Sequence, residues 1–106
     1  MRTLKFAVNA QKITPDPNCD FSGIVPGTVG YLKAHFIFSS EWAGMVKVAE
    51  FRKYLYDEPV VPVPIINGEC MVPAKVTGGK AWYVKVIGKK GDVIIPTENC
   101  RVRQEG

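Results

Sequence analysis

Apolar and polar residues alternate along most of this chain. That period of two belongs to a strand, whose successive side chains point to opposite faces. Leu4, Phe6 and Val8 alternate with Thr3, Lys5 and Ala7, predicting a strand at about 2–9. Leu32, Ala34, Phe36 and Phe38 alternate with Tyr31, Lys33, His35 and Ile37, predicting a strand with one apolar and one mixed face. Between these segments, three prolines and three glycines in 14–30 predict a long ordered loop at about 14–29, anchored by Phe21, Ile24 and Val25.

Beyond Trp42 two periods compete. Trp42, Met45, Val46 and Ala49 fit a helix at 41–53 capped by Ser40, whereas Met45, Ala49 and Phe51 fit a strand that Lys47 interrupts. Gly44 weakens the helix, but pattern alone leaves the two nearly even. The run 59–66 carries Pro62 and Pro64 two residues apart, so their missing N–H groups fall on one side, and this predicts an edge strand. Asn67-Gly68 after it is a type I′ hairpin signal. Cys70–Val72 makes a short strand and 73–76 one helical turn near Pro73. Trp82, Val84 and Val86 alternate in a further strand, Gly88–Asp92 turns the chain, and Val93, Ile95, Cys100 and Val102 form the last strands. About seven short strands with turn signals between them predict an all-β antiparallel sandwich.

Length and composition add little to this pattern. The 106 residues form one expected domain, 1–106, and at 46% apolar and 23% charged residues disorder is excluded. A net charge of +4 is spread along the chain, which disfavours nucleic acid as a partner. The start lacks a signal-peptide core and no run reaches membrane-spanning length, so the expectation is a cytoplasmic protein with no membrane partner. Cys19, Cys70 and Cys100 form no CxxC pair and read as free thiols.

Candidate chemistry is sparse. Asp16, Asn18 and Asp20 imitate the opening of a calcium loop, but Phe21 and Gly27 occupy the positions that need Gly and Glu, leaving an Asx-turn loop. The single histidine, His35, has no nucleophile or second acid beside it and reads as structural. Asp57-Glu58 reads as a solvated turn, and Gly78-Gly79-Lys80 lacks the rest of a phosphate loop. No enzyme and no cofactor is expected. Two binding alternatives stay open. Val84–Val93 is similar to the KOW motif of SH3-like RNA-binding barrels, although its Lys-to-Gly spacing is one residue short and no aromatic cluster accompanies it. Trp42 or Trp82 could also form a sugar-stacking platform.

The ordered blocks Phe36-Ile-Phe38, Glu41-Trp42 and Gly44, then Lys47, Ala49 and Phe51, resemble the "F-x-F-x-x-E-W-x-G, K-x-A-x-F" segment of a phage tail family. These are the small immunoglobulin-like modules at the N-termini of baseplate and tail-fibre proteins in prophages of Gram-positive bacteria. Cys70–Pro73, Tyr83–Gly88, Gly91-Asp92, Ile95 and Thr97 match later blocks in the same order, so the resemblance covers about 30–104. It implies an immunoglobulin-like sandwich, a strand rather than a helix after Trp42, a bracing role for Glu41, and no catalytic residue. Family modules lead into a long fibre region, whereas this sequence stops at Gly106; the expectation is a free-standing virion component or a prophage remnant. The expected core is Leu32, Phe36, Phe38, Trp42, Phe51, Val84 and Val86. The expected interface draws on the outward positions Tyr31, His35, Ile37, Val46, Val48, Tyr83 and Ile87, rimmed by Lys33, Arg52 and Lys85. Its partners are other tail proteins or a second copy.

Overall fold

The computed structural model describes residues 1–56 and 60–105. The alternating segments become nine strands among these residues: β1 (Arg2–Asn9), β2 (Lys12–Pro15), β3 (Leu32–Phe38), β4 (Val46–Arg52), β5 (Val61–Pro64), β6 (Glu69–Met71), β7 (Ala81–Lys90), β8 (Val93–Pro96) and β9 (Cys100–Arg103). They make a sandwich of two sheets, ordered β2-β1-β3-β6 and β5-β4-β7-β8, with β9 pairing with β7 beside β8. Asp57, Glu58 and Pro59, read from sequence as a turn and the first residue of a strand, lie outside the described residues, as does Gly106.

Three sequence expectations need correction. The first sheet is mixed, because β1 and β3 run parallel in register from Arg2↔Leu32 to Val8↔Phe38. The long excursion between them returns the chain to the end where β1 began, and only such a crossover allows parallel pairing. Thr14 and Pro15 are also not loop but the end of β2, which makes a hairpin with β1. Its turn, Ala10-Gln11, has no Gly or Asn to announce it. Ala10 nevertheless sits at φ 54, held by tertiary bonds described below. The loop therefore starts at Asp16. Finally, Val25 does not anchor it: Val25 is exposed, while Ile24 is buried and Phe21 packs edge-on to Phe6 at 5.3 Å. Asp16 and Asp20 make the expected Asx turns, accepting from the Asn18 and Ser22 amides.

Elsewhere local chemistry and structure agree. Asn67 and Gly68 have φ 54 and 78, and Ile66 and Glu69 exchange both backbone bonds at 3.0 Å. In β5, paired with β4 alone, Val61 and Val63 lie opposite Phe51 and Ala49, and Pro62 and Pro64 are exposed at the sheet edge. A 3₁₀ turn, Ala74–Val76, follows Pro73.

Trp42 organises the core. It ends a 3₁₀ turn, Ser40–Trp42, on the crossover from β3 in the first sheet to β4 in the second. Gly44 at φ 75 stops any helix there, and the strand reading of 46–52 holds. The indole is fully buried and packs against β7 at Gly88, where an added Cβ would meet its ring at 2.6 Å. Its N–H donates to the Ala10 carbonyl at 3.0 Å, while the Ala10 amide donates to Ser39 Oγ and Glu41 Oε1. Glu41 thus braces the Trp loop, and together these groups hold the positive φ of Ala10. Of the expected core, Leu32, Phe36, Trp42, Phe51, Val84 and Val86 are buried. Phe38 is only partly buried, because it closes the end of the core against Trp42 at 5.3 Å and carries the Lys47 ammonium over its outer face.

The opposite end is closed by polar groups. Gln104 accepts from the Trp82 indole and donates to the Thr77 and Gly79 carbonyls. Thr77, also buried, donates to Thr28 in the long loop. Between β8 and β9, the buried Thr97 hydroxyl accepts the Val86 amide at 3.0 Å where the ladder is interrupted.

Two measurements check this packing. Trp42→Ala should lower unfolding free energy by about 3–5 kcal/mol in urea titration. Gly88→Ala should cost about 1–3 kcal/mol despite being the smaller change, because its methyl displaces the indole; an unchanged midpoint would contradict the seat. Burial pushes the Cys70 thiol up to about 12 and the Cys100 thiol, also beside Glu98, up to about 11. A thiol-reactive probe on the native protein should therefore label the half-buried Cys19, with Cys70 and Cys100 reacting only after denaturation.

Candidate association surface

Strand alternation sends Ala49, Phe51, Val84, Val86 and Gly88 inward, so Val46, Val48, Glu50 and Arg52 of β4 and Tyr83, Lys85, Ile87 and Lys89 of β7 face outward. The register lines these up across the second sheet. Pro64, Val48, Ile87 and Pro96 are successive cross-strand neighbours, forming one apolar row over β5, β4, β7 and β8. The next row towards the β7–β8 hairpin is Val46, Lys89 and Ile94, with Val46 72% and Ile94 61% exposed. Where these rows meet, Gly44, Val46, Val48, Ile87, Lys89, Lys90 and Gly91 line an open groove of about 620 Å³.

Charge flanks the row. Towards the other end of the sheet, Lys85 lies opposite Glu50, and Tyr83 lies between Arg52 and Arg101. Arg52 donates from Nη1 to the Leu55 carbonyl. The charged residues among the groove's lining are Lys89 and Lys90.

The expected interface residues divide between two faces. Val46, Val48, Tyr83 and Ile87 share the outer face of the second sheet, and Val48 and Ile87 are direct partners there. Tyr31, His35 and Ile37 belong to the first sheet, on the other side of the sandwich, so no single patch unites the seven. The long loop does not cover them: Tyr31 and Ile37 stay about half exposed, while the loop instead closes the core end with Phe21 and Ile24. Around them the first sheet's face is polar. His35 Nδ1 bonds Glu69 Oε2 at 3.1 Å and Lys33 pairs with Glu69 Oε1 at 3.3 Å, so Lys33 rims a different surface from Arg52 and Lys85. Sequence reading missed Pro64, Pro96 and Ile94 as parts of this face, because only strand order brings them beside Val48, Ile87 and Lys89.

Other chemistries find less. Trp42 and Trp82 are both fully buried, so neither is a sugar platform. The KOW-like segment is the β7–β8 hairpin of a two-sheet sandwich, not part of an SH3-like barrel. Among the described residues, no group of three or more His, Cys, Asp and Glu is placed to hold a metal ion. No helix among them is long and apolar enough to cross a membrane. No protein-family model matches the chain, and no curated protein matches it.

Hydrogen bonds from His35, then Lys33, hold the Glu69 carboxyl below its ordinary 4.5. A depressed carboxylate stabilises the fold above its unfolded pKa, and that contribution is lost as pH falls through the folded value. Glu69→Gln should therefore lower stability above pH 4.5 and flatten the loss of stability on acidification below it, as read by thermal melts across pH.

Proposed function

We propose that this chain is a non-enzymatic association module that meets its partner through the outer face of the second sheet. The observation that carries the reading is the apolar row Pro64–Val48–Ile87–Pro96, which crosses four strands on a side that no other element of the described chain covers. Contiguous exposed apolar surface on a soluble domain marks an interaction site more often than it marks nothing. Here it has the apolar centre and charged rim of a protein–protein contact.

The sheet edges direct association to this face. Pro62 and Pro64 remove donors from the free side of β5, and Pro96 ends β8. Proline on an edge discourages the addition of a foreign strand. The setting we propose, a tail or baseplate-like assembly, rests on the ordered sequence blocks of residues 30–104. In such an assembly a module must join neighbours in fixed geometry without open-ended sheet growth, and a face contact between blocked edges does that.

The test is site-specific photo-crosslinking in a host whose prophage genes are induced. A photoreactive residue at position 46, on the proposed face, should give one defined adduct, and the same residue at position 5, on the outer face of the first sheet, should give none. Val48→Asp should abolish the adduct while leaving the melting temperature nearly unchanged, since Val48 points outward. Equal adducts from both positions, or none from position 46, would count against the reading.

A further inference from the structure

Resting on the association reading, the charge on that same face narrows what the partner is. The outward positions of β4, β7 and β9 carry Arg52, Lys85, Lys89, Arg101 and Arg103 against the carboxylate of Glu50. Lys90 adds a further cation at the groove. Five cations against one carboxylate give this face a local excess of positive charge. Among the described residues, Lys85, Lys89, Arg101 and Arg103 take part in no salt bridge; the ion pairs there belong to Glu69 on the other sheet.

This distribution disfavours a second copy as the occupant. A two-fold contact through the face would set cations of one molecule against cations of the other, with Glu50 the one carboxylate among the described outward residues of β4, β7 and β9 to offset them. Strand addition is disfavoured by the prolines at β5 and β8. A nucleic acid would satisfy the cations, but it would leave the Pro64–Val48–Ile87–Pro96 row facing phosphates and sugars. Among the described side chains of this face only Tyr83 is aromatic, whereas single-strand binding uses several stacking platforms.

We infer that the occupant is an anionic protein segment: one that lays short apolar side chains along the Pro64–Val48–Ile87–Pro96 row and sets carboxylates against Lys85, Lys89 and Lys90. The apolar row supplies contact area. The lysines select sign and accelerate encounter, a role that weakens as salt shortens the screening length to about 8 Å at physiological ionic strength.

The experiment uses the full chain, isotope-labelled for amide NMR, and three synthetic peptides. All three carry the same alternating Leu and Val residues, and the intervening positions are all Glu, all Gln or all Lys. The Glu peptide should shift the amides of Val46, Val48, Ile87 and Lys89, bind at least about tenfold more tightly than the Lys peptide, and weaken as salt rises. In the Lys85→Glu/Lys89→Glu variant, whose changes are on the surface, the preference should reverse.

Equal binding of the three peptides at this face would overturn the anionic inference while leaving the association reading intact. If no peptide perturbs the face, both fall. Concentration-dependent shifts of the same amides without peptide would make the occupant a second copy. A single-stranded oligonucleotide that binds there more tightly than the Glu peptide would make it a nucleic acid. Either result overturns the inference.

Discussion

The seating of Trp42 on the bare backbone of Gly88 is the constraint on which the rest of this sandwich depends. The indole is carried by the crossover between the two sheets, lies on a strand of the second, and donates to the β1–β2 turn of the first. One side chain therefore joins three separate parts of the chain. Its neighbours follow from that position. Glu41 and Ser39 hold the amide of Ala10, Phe38 packs against the ring, and Lys47 lies over Phe38. Gly44 permits the sharp exit into β4. The spacing Phe36-x-Phe38-x-x-Glu41-Trp42-x-Gly44 is thus a set of contacts made by one crossover.

At the other end the sandwich is closed differently. Gln104 and Thr77 satisfy backbone carbonyls that would otherwise end in apolar surroundings, and the long loop adds Phe21 and Ile24 to the core. Buried polar groups are costly unless paired, and these are paired. With both ends closed and prolines at two sheet edges, the apolar row of the second sheet remains on an outer face. The same strands present Ala49, Phe51, Val84 and Val86 inward to the core and Val48 and Ile87 outward to the proposed association face.

Much of this was legible along the chain because the signals were local. Period-two alternation located most strands. Asn67-Gly68 announced its hairpin through the positive φ that both residues adopt, and Pro62 with Pro64 announced an edge strand through donors that proline lacks. Inward positions such as Leu32, Phe51 and Val84 were readable, since a strand's two faces differ in polarity wherever one is buried.

What lay outside the sequence was whatever depends on contacts between distant segments. The β1–β2 turn was invisible because Ala10 has no intrinsic preference for positive φ and is held there by Ser39, Glu41 and Trp42, some thirty residues away. The parallel pairing of β1 with β3 depends on where the long loop returns the chain, which no periodicity records. The proposed association face was half legible. Alternation showed that Val46, Val48 and Ile87 point outward, but not that Val48 and Ile87 are neighbours, that Pro64 and Pro96 extend them into a row, or that Tyr31, His35 and Ile37 lie on the far side. A side chain's facing is set within its own strand, whereas its neighbours are set by strand order, and strand order is a property of the folded whole.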